Sequence, residues 1–154
     1  MNTLKAEKRS MDVKAKKLRR EGYVTGNLFG REIEGSIPLK FTKKEIEVLL
    51  KNNNKGSQVM LELDGKTYDA LIKEVDYNPL AHTVEEVDFQ ALVSNEMVHS
   101  VAEIILENEE MVVSGVLQDE LKEVAYKALP ADLVDKIKVD VAGMKIGDTL
   151  RVKD

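Results

Sequence analysis

Val59-Met60-Leu61-Glu62-Leu63-Asp64-Gly65-Lys66-Thr67-Tyr68-Asp69-Ala70-Leu71-Ile72-Lys73-Glu74-Val75 is the stretch from which the fold can be read. Alternating residues flank Asp64-Gly65, the pair that suits a type I′ turn, in which both central residues take positive φ. The pattern predicts a β-hairpin. Beyond it, Tyr77-Asn78-Pro79-Leu80 reads as a turn and Thr83 to Leu92 as the next strand. In that strand Val84 and Phe89 fall on opposite faces unless a bulge shifts the register. Before the hairpin, Thr42-Lys43-Lys44-Glu45 is a capping box, with Phe41 where a hydrophobic staple begins and Ile46, Leu49 and Leu50 as the buried side of the helix. That helix ends within Lys51 to Gly56. Gly35 to Lys40 is a short strand that Pro38 confines to an edge. Tyr23 to Phe29 is a strand in which Gly26 signals a bulge or a close backbone approach, and residues 2–9 alternate weakly as another.

Ser94-Asn95-Glu96 marks a junction, which predicts two units, residues 1–93 and 94–154. The second reads as strands at Val98–Leu106, Met111–Val116, Leu121–Ala128, Ile137–Val141 and Thr149–Val152, with one short helix at Ala131–Asp135. The charge shifts at the same place: 16 Lys/Arg against 15 acids before it, 7 against 13 after it. The expected fold class is mainly β with some α (α+β).

With 43% hydrophobic and 33% charged residues in 154, the chain can bury a core and solvate its surface. The absence of cysteine excludes disulfide and thiolate chemistry and suits a reducing cytosol. No apolar run reaches the ~18–20 residues of a membrane span, and the N-terminus lacks the apolar core of a signal peptide. A soluble, cytoplasmic protein is expected. Neither a Gly-x-Gly-x-x-Gly nor a Walker pattern occurs. His82 and His99 are solitary, so no metal site is expected. The carboxylates Glu85/Glu86/Asp88 and Glu107/Glu109/Glu110 read as solvated acids on a strand and at a hairpin turn. No catalytic residue and no cofactor are expected, and the chain does not read as an enzyme.

One feature rises above this background. Residues 1–20 carry eight Lys/Arg against two acids, a balance of +6 on a chain whose net charge is −5, so residues 21–154 carry −11. The density is greatest over Lys14-Ala15-Lys16-Lys17-Leu18-Arg19-Arg20, read as a helix capped by Asp12, with Met11, Ala15 and Leu18 as its apolar stripe and Gly22 as its stop. Five cations in so short a helix repel one another unless an anion lies nearby, and nucleic-acid phosphates are the natural partner. The stripe is too small to embed in a membrane surface.

Arg9, Lys14, Leu18-Arg19-Arg20-x-Gly22, the strand ending in Gly30, Glu74-Val75-Asp76-x-Asn78-Pro79 and Val87-Asp88-Phe89 together resemble the bacterial 5S-rRNA-binding family, the twenty-fifth protein of the large ribosomal subunit. Gly115-Val116-Leu117, Ala128-Leu129-Pro130, Ile137-x-Val139-Asp140-Val141 and Lys145-Ile146-Gly147-Asp148-Thr149 are similar to the C-terminal β domain of its two-domain form, the Ctc general stress protein. The resemblance covers essentially the whole chain. It implies a six-stranded β-barrel domain docking on 5S rRNA, then a smaller C-terminal β domain, shortened at Asp154. It also implies a ribosomal protein at work in translation, associated with the large subunit and touching a neighbouring ribosomal protein through the C-terminal domain.

The residues expected to face RNA are Arg9, Lys14, Lys16, Arg19 and Arg20, with Phe29, Glu86 and Asp88 beside them. Arg9 and Asp88 are expected on neighbouring strands. Asp88 matches an acid that accepts from a base amine or orients a basic neighbour. Three positions depart from the family pattern: Phe29 stands for a tyrosine, Thr25 for a proline and Glu86 for a histidine. A carboxylate at about 5 Å from a phosphate costs on the order of 3 kcal/mol at an effective dielectric of ~20. The second reading is therefore a divergent relative with the same fold and weak or no rRNA binding, acting as a stress or protein-interaction module.

Overall fold

The computed structural model describes residues 2–112, 115–118 and 120–151. Six strands close into a barrel: β1 (Asn2–Lys8), β2 (Tyr23–Phe29), β3 (Ser36–Thr42), β4 (Gln58–Leu63), β5 (Lys66–Asn78) and β6 (Thr83–Ala91), in the order β1-β3-β2-β6-β5-β4. Two helices, α1 (Ala15–Arg20) and α2 (Lys43–Leu50), sit between strands. A separate three-stranded sheet follows, with β7 (Val98–Glu107) between β8 (Glu123–Ala128) and β9 (Lys136–Asp140).

The hairpin forms as its residues dictate. Asp64 and Gly65 take φ of 51° and 78°, and Leu63 pairs with Lys66. Successive side chains of a strand point to opposite faces, so Val59, Leu61 and Leu63 enter the core from β4 while Ala70 and Ile72 enter from β5. β1 closes the barrel, running parallel to β4 along Asn2–Ala6 and antiparallel to β3 at Glu7 and Lys8. Inside lie Leu4, Val24, Leu28, Leu39, Phe41, Val87 and Phe89. The Phe41 and Phe89 rings meet at 5.5 Å, tilted by 55°, within the favourable range for an aromatic pair. α2 adds Ile46 and Leu49 to the core, and its N-cap Thr42 accepts from Glu45 N–H at 3.3 Å as the capping box predicts.

Two bulges set the outer face. Ile72 lies opposite Phe89 but Glu74 opposite Asp88, so Lys73 is the extra residue on β5; Asp76 lies opposite Glu86 but Tyr77 opposite Val84, so Glu85 is the extra residue on β6. Each extra residue exchanges the inward and outward parities. Val75 thus follows Ile72 inward, and Val84 shares the inner side with Val87 and Phe89. Gly26 is a site of close approach: a Cβ there would strike the Val87 carbonyl oxygen and press on the Phe41 ring.

Three expectations about the barrel and α1 are corrected. β3 is no edge strand, because it pairs with both β1 and β2. Pro38 is tolerated because its carbonyl accepts from Arg9 N–H at 2.9 Å, just past the last β1–β3 pair, so the missing N–H falls where that ladder has ended. Asp12 does not cap α1. The helix begins at Ala15 with Lys14 as N-cap, and Asp12 instead donates its N–H to Ser10 Oγ at 3.3 Å. The six-residue helix leaves Met11 outside it and 69% exposed, so Leu18 alone of the stripe is buried.

In the second sheet, Glu109–Met111 is a single 3-10 turn, and neither residues 115–118 nor Thr149–Arg151 form a strand; Val113, Ser114 and Val152 lie outside the described residues. Among the described residues the sheet holds only β8, β7 and β9. The expected helix at Ala131–Asp135 is only a 3-10 turn, Pro130–Asp132. Tyr126 Oη holds Val134 by its N–H and carbonyl (2.7 and 2.6 Å), and Asp135 already accepts from Glu103 N–H.

The sheet lies against the barrel beside β4 and β5. Lys73 Nζ donates to His99 O at 2.6 Å, Gln58 Nε2 to Pro130 O at 3.3 Å and Ser57 Oγ to Asp135 Oδ2 at 3.1 Å. Leu71, on the outward face of β5 opposite Gln58, is therefore buried.

Candidate nucleic-acid interface

The outward face of β3, β2, β6 and β5 is set by register. One row runs Lys40, Thr25, Glu86, Asp76; the next runs Pro38, Asn27, Asp88, Glu74; a third runs Ser36, Phe29, Gln90, Leu71. Glu86 and Asp88 share this face, as alternation requires. β5 adds Asp76 and Glu74 directly opposite them, so four carboxylates stand in two like-charged cross-strand pairs. Lys40 at the far end is engaged by Glu7 at 3.5 Å and lies 4.8 Å from the centre of the Tyr23 ring.

α1 lies against β2 with Leu18 buried beneath it. Lys14, Lys16, Lys17 and Arg20 are exposed and, with Asp12 and Val13, line an open recess of about 300 Å³. Arg19 points back instead. Its Nε donates to Glu85 O at 3.1 Å and its Nη2 to Thr25 Oγ1 at 2.9 Å. Arg9, just past β1, is half-buried and donates from Nη2 to Val13 O at 3.4 Å.

Burial raises the Glu86 carboxyl above its ordinary range, and the charges of Asp88 and Asp76 push the same way against Arg19 and Arg9. Asp88 is also raised, first by burial, while its hydrogen bond from Asn27 opposes the shift. A carboxyl whose folded pKa is raised binds its proton more readily when folded. Its contribution to stability is full below the unfolded value and lost as pH rises through the folded one. Stability should therefore increase as pH falls from neutral toward the ordinary glutamate value of 4.5. Glu86→Gln should be more stable than the parent at pH 7, by less than about 1 kcal/mol because the group is largely solvated, and should flatten that limb. Urea titrations at several pH values measure both effects; an unchanged limb would contradict the assignment.

Among the described residues, no group of three or more His, Cys, Asp or Glu side chains is arranged to hold a metal ion, and no helix is long and apolar enough to cross a membrane.

Family models match both parts of the chain: the ribosomal L25p family over residues 4–89, and the C-terminal domain of ribosomal protein TL5 over residues 97–154. The chain belongs to the ribosomal L25p family. Similar curated proteins include the large ribosomal subunit protein bL25 of Thermoanaerobacter sp. (strain X514), 31% identical over 91% of this chain and 71% of its own length. The bL25 of Akkermansia muciniphila is 31% identical over 99% of this chain and 78% of its own. That of Carboxydothermus hydrogenoformans is 33% identical over 96% and 78%. By family this is a ribosomal protein, a structural constituent and not an enzyme.

Within this L25p-family chain the structure brings Arg19, Glu86 and Asp88 onto one face, while Arg9, just past β1, is engaged by Val13 O. Lys14, Lys16 and Arg20 form a separate solvent-facing group, while Phe29 is half-buried at the end of β2, opposite Ser36 and Gln90. Arg9 and Asp88 are not on neighbouring strands: β3 and β2 lie between β1 and β6. Sequence reasoning missed the opposed carboxylates Asp76 and Glu74 and the two oxygens that hold Arg19. The three-residue spacing from Val84 to Val87 was the available sign of the Glu85 bulge.

Proposed function

We propose that the chain is a constituent of the large ribosomal subunit that docks on 5S rRNA through the α1–β2–β6 face. The observation that carries this reading is the placement of the basic helix. Four exposed cations on α1 and its N-cap stand beside a strand face that holds Arg19 in a fixed orientation. A-form RNA offers phosphates, 2′-hydroxyls and base edges across a wide minor groove. In this reading Lys14, Lys16 and Arg20 meet phosphates, Arg9 and Arg19 meet phosphates or groove edges, Phe29 offers a stacking face and Asp88 accepts from a base amine. The family membership and the names of the relatives support the large subunit as the setting, which makes the bacterial cytoplasm its location. Residues 1–93 form the RNA-docking unit and residues 94–154 a second unit suited to a neighbouring ribosomal protein.

The carboxylate pairs Asp76–Glu86 and Glu74–Asp88 favour a second reading, a stress-related or protein-interaction module that binds rRNA weakly, because they repel phosphates. Titration with 5S rRNA across a salt series separates the two. The first requires saturable binding whose log–log salt slope becomes shallower in Arg19→Ala, by at most about 0.9 for one lost phosphate contact. Binding that stays at non-specific strength and does not respond to Arg19→Ala would leave the second reading standing.

A further inference from the structure

We infer that Thr25 is a positioning residue, whose hydroxyl and the bulge carbonyl of Glu85 together aim the Arg19 guanidinium at an RNA phosphate; this rests on the RNA-docking reading above. Three hydrogen bonds close a triangle: Arg19 Nη2–H to Thr25 Oγ1 at 2.9 Å, Arg19 Nε–H to Glu85 O at 3.1 Å, and Thr25 Oγ1–H to Glu85 O at 3.3 Å. The hydroxyl is thereby used in both directions, as donor and as acceptor. Thr25 is fully buried although it stands on the outward face of β2, where the Arg19 side chain reaches it. The second acceptor comes from the bulge. Glu85 is the residue that β5 leaves without a partner, so its carbonyl is free to accept from Arg19 and from Thr25 rather than from the ladder.

The triangle joins three elements that no local rule brings together: α1 through Arg19, β2 through Thr25 and β6 through Glu85. It fixes the plane of the guanidinium and occupies two of its five N–H groups, leaving three for a planar, charge-assisted contact to a phosphate. A long side chain that is already ordered loses less conformational entropy on binding than a free one. Charge and aim are therefore separable: Arg19 supplies the charge, and Thr25 with Glu85 supplies the direction.

Thr25→Val keeps the branched shape and removes the hydroxyl; Thr25→Ser keeps the hydroxyl. In the free protein, the Arg19 Nε–H resonance should be resolved and slowly exchanging in the parent and in Thr25→Ser, and averaged in Thr25→Val. In 5S rRNA titrations, Thr25→Val should bind about tenfold more weakly with an unchanged salt slope, because no charge is removed, and Thr25→Ser should restore affinity. Circular dichroism and melting of each variant separate a lost aim from a lost fold. Parent-like affinity in folded Thr25→Val, or failure of Thr25→Ser to restore it, overturns the inference. Non-saturable binding by the parent overturns the RNA reading instead, and the Arg19 resonance still reports whether the triangle exists.

Discussion

Gly26→Val is expected to destabilise the chain by at least about 3 kcal/mol, enough to consume much of the ~5–15 kcal/mol by which a domain of this size is usually stable. The position is closed by main chain. A Cβ there runs into the Val87 carbonyl oxygen on the paired strand β6 and lies 3.1 Å from Phe41 Cε2. A side chain can turn away, but the Val87 carbonyl belongs to the β2–β6 ladder and moves only if the two strands part. The loss would propagate, because parting these strands also disturbs the contact of the Phe41 and Phe89 rings and opens the barrel along a parallel seam. Thermal or urea unfolding measures the effect. Gly143→Ala is the control: nothing lies within 4 Å of the added Cβ, so a change within about 0.5 kcal/mol is expected. Equal behaviour of the two variants would contradict the described packing.

Replacing Lys14, Lys16, Lys17 and Arg20 together by glutamine is expected to weaken 5S rRNA binding by roughly 10²-fold near physiological salt, making the salt slope shallower by about 3. All four side chains are exposed and none is part of the barrel core, so the melting temperature should barely move. Affinity and stability are decoupled here, whereas for Gly26 they are not. The slope is the sharper readout, since it counts phosphates neutralised. An affinity loss with an unaltered slope would mean that α1 acts through shape, and no loss would remove α1 from the interface.

Local chemistry made much of the barrel legible. The Asp64-Gly65 turn, the Thr42 cap and the Gly22 helix stop (φ 92°) are each settled within four residues of chain, and the structure shows each where the residue types require it. Gly26 was legible as either a bulge or a close approach, and the structure shows the close approach, to Val87. The C-terminal sheet was less legible, because an apolar run such as Met111–Val112 satisfies a strand pattern whether or not a neighbour is available to pair with it. Among the described residues only β8 and β9 pair with β7.

The candidate site divides along the same line. That Lys14, Lys16 and Arg20 form a concentrated positive charge follows from composition over a few residues, and the structure leaves them facing solvent. The fate of Arg19 could not be read that way. Its partners lie 6 and 66 positions away, and one of them is a backbone carbonyl freed by a bulge whose place depends on how β5 and β6 register.

The alternation, the Asp64-Gly65 turn, the Thr42 cap and the positive charge of α1 are short-range features, each encoded by residues that are neighbours in the chain. Tertiary structure alone decided the closure of the barrel through the parallel β1–β4 and β2–β6 pairings, the facing of Asp76 on Glu86, and the inward turn of Arg19. The physical reason is that a one-residue bulge exchanges the faces of a strand, and no residue type near Glu85 states which oxygen it will release or which cation will come to it.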